Sequence, residues 1–75
     1  MQEAKPGKYR HYKGKFYRVV GTAHHSETRE PLVVYIALYD DKEFGNNSLW
    51  VRPLKMFTEN VTVEGKSVPR FEFIE

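Results

Sequence analysis

The sequence has no cysteine, so a disulfide scaffold, a thiol nucleophile and a cysteine-based zinc finger are all excluded. No apolar run approaches the roughly 18 residues a membrane-spanning helix needs. The first residues, Met1-Gln2-Glu3-Ala4-Lys5-Pro6-Gly7, contain no apolar signal region, and the expected location is cytoplasmic. There is no internal repeat and no low-complexity segment. With 75 residues the chain is about half the usual length of one domain, which leaves no room for a second independent core. A domain of this size spends most of its large side chains on the core and has few left to enclose a deep substrate cavity. A shallow binding face is easier to build.

What the chain does have is an ordinary globular composition, 40% hydrophobic and 15% aromatic, with a net charge of +2. Its charge is unevenly spread. Residues 1–30 hold seven lysines and arginines against three glutamates, whereas residues 31–75 hold five against seven acidic residues. A basic first third hints at an anionic partner.

The pattern reads as strands. Lys8–Lys13 is a short first strand, followed by a tight turn at Gly14, whose missing Cβ allows positive φ. Phe16–His24 is a longer, β-branched and aromatic strand in which Gly21 predicts a bulge or bend. His25–Pro31 reads as a loop. Leu32–Tyr39 is the strongest strand, and its unbroken apolar run predicts cover on both faces. Asp40–Ser48 reads as a mobile loop, Leu49–Arg52 as a strand ended by Pro53, Leu54–Phe57 as one helical turn, and Val61–Ile74 as a hairpin turning at Glu64-Gly65-Lys66. The expected domain is all-β: residues 1–6 a flexible N-terminus, and 7–75 a small SH3-like, partly open barrel of five to six short strands with one helical turn. An OB-like barrel is the alternative. The expected core is Tyr17, Val19, Val34, Ile36, Leu38, Leu49, Val51, Met56, Phe57, Phe71 and Phe73.

Several stretches together resemble a known family. They are Gly7-Lys8-Tyr9-Arg10-His11-Tyr12-Lys13-Gly14, His25-Ser26-Glu27-Thr28, Val33-Val34-Tyr35 with Leu38-Tyr39, Trp50-Val51-Arg52-Pro53-Leu54 with Met56-Phe57, and Pro69-Arg70-Phe71. In this order they resemble the small bacterial family called domain of unknown function 1653, from about Gly7 to Ile74. The resemblance implies a small domain, free-standing or part of a larger chain, and assigns no activity, ligand or catalytic residue. The sequence departs from the family pattern at Asp40–Ser48, where the loop looks longer.

Four constellations carry chemistry. His24-His25-Ser26-Glu27-Thr28 holds the residue types of a hydrolytic triad, but neighbours on extended backbone point to opposite sides, and a turn capped by local hydrogen bonds explains the segment better. A metal site from His11, His24, His25 and Glu27 is disfavoured for the same reason, and no metal or other cofactor is expected. Trp50 and Arg52 share one strand face opposite the apolar Leu49 and Val51, which places an aromatic plane beside a cation near solvent. Lys8, Arg10, Lys13 and Lys15 interleave with aromatics in the first hairpin and are candidate anion contacts.

The leading expectation is a non-catalytic binding module for a peptide or protein segment, or for nucleic acid. Its ligand face would join Trp50 and Arg52 to His25, Ser26, Glu27 and Thr28. A small hydrolase or metal-dependent enzyme using the His-Ser-Glu-Thr segment is the rival.

Overall fold

A computed structural model describes residues 4–75. Nine strands and one helical turn follow in order: β1 (Gly7–His11), β2 (Phe16–His24), β3 (Pro31–Ala37), β4 (Asp40–Asp41), β5 (Gly45–Asn46), β6 (Leu49–Pro53), α1 (Leu54–Phe57), β7 (Asn60–Val63), β8 (Lys66–Pro69) and β9 (Phe71–Phe73). Five of them form one antiparallel sheet in the order β6-β3-β2-β1-β9, while β4–β5 and β7–β8 form separate two-stranded ribbons. The all-β domain expected from the sequence is present, with its first hairpin, its bent second strand and its single helical turn. Gly14 turns the hairpin at φ 105°, and the register of β2 against β3 shifts between Val19 and Gly21, the bulge that Gly21 signals.

The sheet curls without closing. Flat, its two edge strands β6 and β9 would stand about 19 Å apart, four strand spacings. Yet the Arg52 guanidinium of β6 lies 5.6 Å from the ring centroid of Phe71 in β9. The concave face between them is the core. Tyr9, Val19, Val33, Tyr35, Leu54, Phe57 and Phe71 are buried there. Phe57 and Phe71 stack at 4.2 Å, and Tyr35 and Tyr17 meet this pair at tilted and edge-on angles. Burying a side chain such as Phe57 contributes about 1.5–3 kcal/mol.

The core differs from the expected one by a reversal of parity in β3 and β6. Val33, Tyr35 and Ala37 are buried, and Val34 and Ile36 lie on the other face, half-buried. Leu49 and Val51 are 67% and 58% exposed, whereas Trp50 packs against the core and Arg52 is half-buried. The cause is that β3 is apolar on both faces, so alternation gives no direction. Tyr35 settles it by joining the aromatic stack. Its register partner Trp50, and Arg52 opposite Val33, then also turn inward. Met56 is exposed, because one helical turn directs only Leu54 and Phe57, three apart, to the core. Phe73 is partly exposed but holds Tyr9 edge-on at 5.3 Å. Leu38 is half-buried.

Two segments read as loose are built. Of the expected flexible terminus, Met1–Glu3 lie outside the described residues. Ala4 is buried, the Tyr9 hydroxyl donates to the Lys5 carbonyl at 2.8 Å, and the Lys5 ammonium sits 4.6 Å from the Phe73 ring centroid. In the 40–48 segment, Asp41 Oδ1 accepts from the backbone N–H groups of Glu43 and Phe44, and the Phe44 ring meets Trp50 edge-on at 5.1 Å. Among the described residues no helix is long and apolar enough to cross a membrane.

Candidate functional site

The segment His25–Thr28 forms the β2–β3 turn. His25 Nδ1 accepts hydrogen bonds from the backbone N–H of Glu27 at 3.1 Å and of Thr28 at 3.3 Å, and Thr28 Oγ1 accepts from Glu30 N–H. The His25 and Glu30 backbones close the turn, which needs positive φ at Arg29. Ser26 makes no hydrogen bond to His25 among the described residues. A cavity of about 410 Å³ here is lined by His24, His25, Ser26 and Arg29.

Trp50 and Arg52 do not join this turn. Trp50 lies opposite Tyr35, which lies opposite Val19, in the middle of β2 and five residues before its His24 end. Its indole N–H donates to Ser48 Oγ at 2.7 Å. Arg52 starts nearer, across Val33 from Thr22, but its side chain runs over the core to Phe71 rather than toward Glu27. The ion pairs among the described residues are Arg10–Glu72 and Arg70–Glu59, both 2.8 Å. The shared face expected of Trp50, Arg52 and the His25–Thr28 turn is therefore divided between the concave face and a hairpin tip, a consequence of the reversed parity of β6.

The N-terminal cations also have separate surroundings. Lys8 lies 4.7 Å from the Phe16 ring centroid and Lys15 4.4 Å from that of Tyr39. Lys13 stands 5.9 Å from the Tyr12 ring centroid, and Arg10 bonds Glu72. Only Arg10 and Lys13 reach the larger cavity, an open cleft of about 780 Å³. Its first wall is the β1–β2 turn with Arg10, Tyr12 and Lys13. Its second is the β7–β8 hairpin, with Val63, Glu64, Lys66, Val68 and Pro69, and Glu72 completes it. Backbone bonds hold the walls in place: Tyr12 N–H donates to the Arg70 carbonyl, and Arg70 N–H to that of Glu59. The second wall was not anticipated from the sequence. Its hairpin is readable from Glu64-Gly65-Lys66, but the surface it faces is a tertiary fact.

A third cluster lies on the concave face. The His11 ring lies 4.9 Å from Phe71, 4.6 Å from Tyr12 and 6.2 Å from Tyr17, and His11 Nδ1 accepts from Lys13 N–H at 3.2 Å. Burial, then the charges of Arg70, Arg52 and Lys13, hold its pKa below the ordinary 6.5. The Tyr17 and Tyr39 hydroxyls bond at 3.1 Å, and burial together with that bond pushes the Tyr17 pKa up. Among the described residues no three His, Cys, Asp or Glu side chains gather as metal ligands, and His11 belongs to a different turn from His24, His25 and Glu27.

No match is found among curated proteins. A similar solved structure is the crystal structure of a DUF1653 protein from Bordetella bronchiseptica. It is 38% identical, with a TM-score of 0.84, and the match covers 95% of this chain and 87% of that one. The sequence model of the family described as protein of unknown function (DUF1653) matches residues 7–73. The match therefore takes in both hairpins that wall the cleft, the β2–β3 turn and the concave face, and the chain belongs to the DUF1653 family.

Proposed function

We propose that this domain is a non-catalytic binding module that takes an extended protein segment in the cleft between the β1–β2 turn and the β7–β8 hairpin. The observation that carries this reading is the cleft itself. Its volume of about 780 Å³ suits several side chains of a ligand, and it is open along its length between two hairpins. Tyr12, Val63, Val68 and Pro69 offer apolar surface, with Lys13 and Lys66 on opposite walls. Apolar surface interspersed with charged side chains suits the alternating side chains of an extended peptide. The charge is mixed, since Glu72 holds Arg10 and Glu64 stands beside Lys66. A phosphate backbone would meet two carboxylates there, so a protein segment fits better than nucleic acid.

The hydrolase reading finds less support. His25 Nδ1 already accepts two backbone N–H groups, so its lone pair serves the turn rather than a catalytic relay.

Selection from a random displayed-peptide library tests the reading. Enriched peptides should bind the wild-type chain and lose about tenfold or more in affinity to a Lys13→Glu, Lys66→Glu double variant that remains folded. Failure to enrich, or equal binding by the variant, overturns it. So does preferential binding of an oligonucleotide, with a log–log salt slope of about −0.7 per phosphate contact.

A further inference from the structure

On the concave face, cations converge without enough acceptors. Arg52 comes from one edge strand and lays its guanidinium over Phe71 of the other. The guanidinium makes no hydrogen bond and no ion pair to any described residue, and its Nε is buried without a partner. Arg70, next in chain to Phe71, gives one nitrogen to Glu59, but its own Nε is also buried without a partner. Glu59 thus serves one of the two half-buried guanidinium groups, and no carboxylate among the described residues pairs with the other. Burying donors unpaired is costly, and arginines are almost never fully buried unless paired.

The surroundings supply two further donors. His11 accepts at Nδ1, so its neutral ring carries the proton on Nε2, which has no partner among the described residues. The Tyr17–Tyr39 pair uses one hydroxyl hydrogen between its oxygens and leaves the other to donate outward. Arg52, Arg70, His11, Tyr17 and Tyr39 are all only half-buried, so the group is not sealed from solvent. The rings of Phe71, Tyr17 and Tyr35 make an apolar floor at mutual centroid distances of 5.4–5.8 Å. A low-dielectric floor strengthens charge-assisted hydrogen bonds above it. The planar fork of an arginine matches two oxygens of one anion.

We propose that Arg52, with Arg70, His11 and the Tyr17–Tyr39 pair around Phe71, forms an oxyanion-binding site for the carboxylate or phosphate group of a ligand. The site adjoins the cleft assigned to a protein segment through the β1–β2 turn, but shares none of its lining residues and does not depend on that assignment. Arg70 and Arg52 both add, after burial, to the lowering of the His11 pKa.

The test is a titration of the isotopically labelled chain with inorganic phosphate and, in a separate arm, with acetate, each at constant ionic strength. The signals followed are the His11 ring and Arg52 Nε–H. Saturable shifts are expected, with an upward move of the His11 titration midpoint as anion is added. Saturation by phosphate alone identifies a phosphate group, and saturation by acetate a carboxylate. Arg52→Met keeps the stem over Phe71 and should weaken the anion about tenfold or more. Arg52→Lys keeps the charge without the fork, and should lose part of that affinity even if the methionine variant fails to fold. Linear, non-saturating shifts in both arms overturn the proposal, as does undiminished affinity in the folded variants. Arg52 is not among the residues that line the peptide cleft, whereas His11 abuts Tyr12 and Lys13 of its wall, so the Arg52 Nε–H signal is the one that separates the two readings.

Discussion

Two turns of this molecule use the same local device in different surroundings. At the β1–β2 turn His11 Nδ1 accepts a backbone N–H from two residues on, and at the β2–β3 turn His25 Nδ1 does the same, with a second bond from three residues on. In the His25 turn, His25 Nδ1 and Thr28 Oγ1 are spent on the turn's own backbone. The His11 turn is pressed against Tyr12, Tyr17 and Phe71, stands in the field of two arginines, and presents Tyr12 and Lys13 to the large cleft. The lesson is that residue type and spacing mark a histidine-capped turn. What packs behind it decides whether the turn is only a turn.

The largest effect is expected of Phe71→Ala, which removes the ring shared by His11, Tyr17, Tyr35, Phe57 and Arg52. A loss of about 3–5 kcal/mol is expected. That is comparable to the whole stability of a domain this small, so circular dichroism should show a largely unfolded chain at room temperature. Next, urea denaturation should separate the two histidines. His11→Ala loses aromatic packing as well as the turn bond and should cost about 2 kcal/mol, against about 1 kcal/mol for His25→Ala. Equal costs would mean that the rings around His11 contribute nothing.

The pH dependence sharpens the same contrast. Because the folded His11 pKa is depressed below 6.5, the unfolded chain takes up this proton first. Stability from this group is complete above about pH 6.5 and declines as pH falls below it, by at most about 1.4 kcal/mol per pH unit, until the folded ring also titrates. His11→Phe should flatten that part of the stability–pH curve. The smallest effects belong to the convex face. Val51→Thr and Leu49→Gln should each stay within about 0.5 kcal/mol of wild type by thermal denaturation, since both side chains are mostly exposed. A loss of several kcal/mol would restore the opposite parity of β6.

That parity marks the limit of what the residues disclose. Gly14 and Gly21 announce the hairpin and the bulge because glycine answers a backbone need that is local. Tyr17, Val19, Phe57 and Phe71 are legible as core for a similar reason, standing in segments with one plainly apolar face. Leu32–Leu38 has no polar face to orient it, and Leu49-Trp50-Val51-Arg52 alternates aliphatic with aromatic and cationic, so either face can be read as inner. Only the aromatic stack around Tyr35 and Phe71 decides, and it is assembled from strands far apart in sequence. The same holds for the candidate site. Lys13 and Arg10 are visible as cations, but the wall opposite them comes from residues 63–69, and Arg52 reaches Phe71, against which His11 packs, only because the sheet curls.

The central question is which of the two turns carries the binding surface. The most direct measurement is the ¹H–¹⁵N spectrum of the labelled chain during titration with a peptide selected on the wild-type protein. The expected result is saturable shifts at Tyr12, Lys13, Lys66 and Val68, with His24–Arg29 unmoved. Shifts gathered instead at His24, His25, Ser26 and Arg29, with the cleft residues silent, would contradict it.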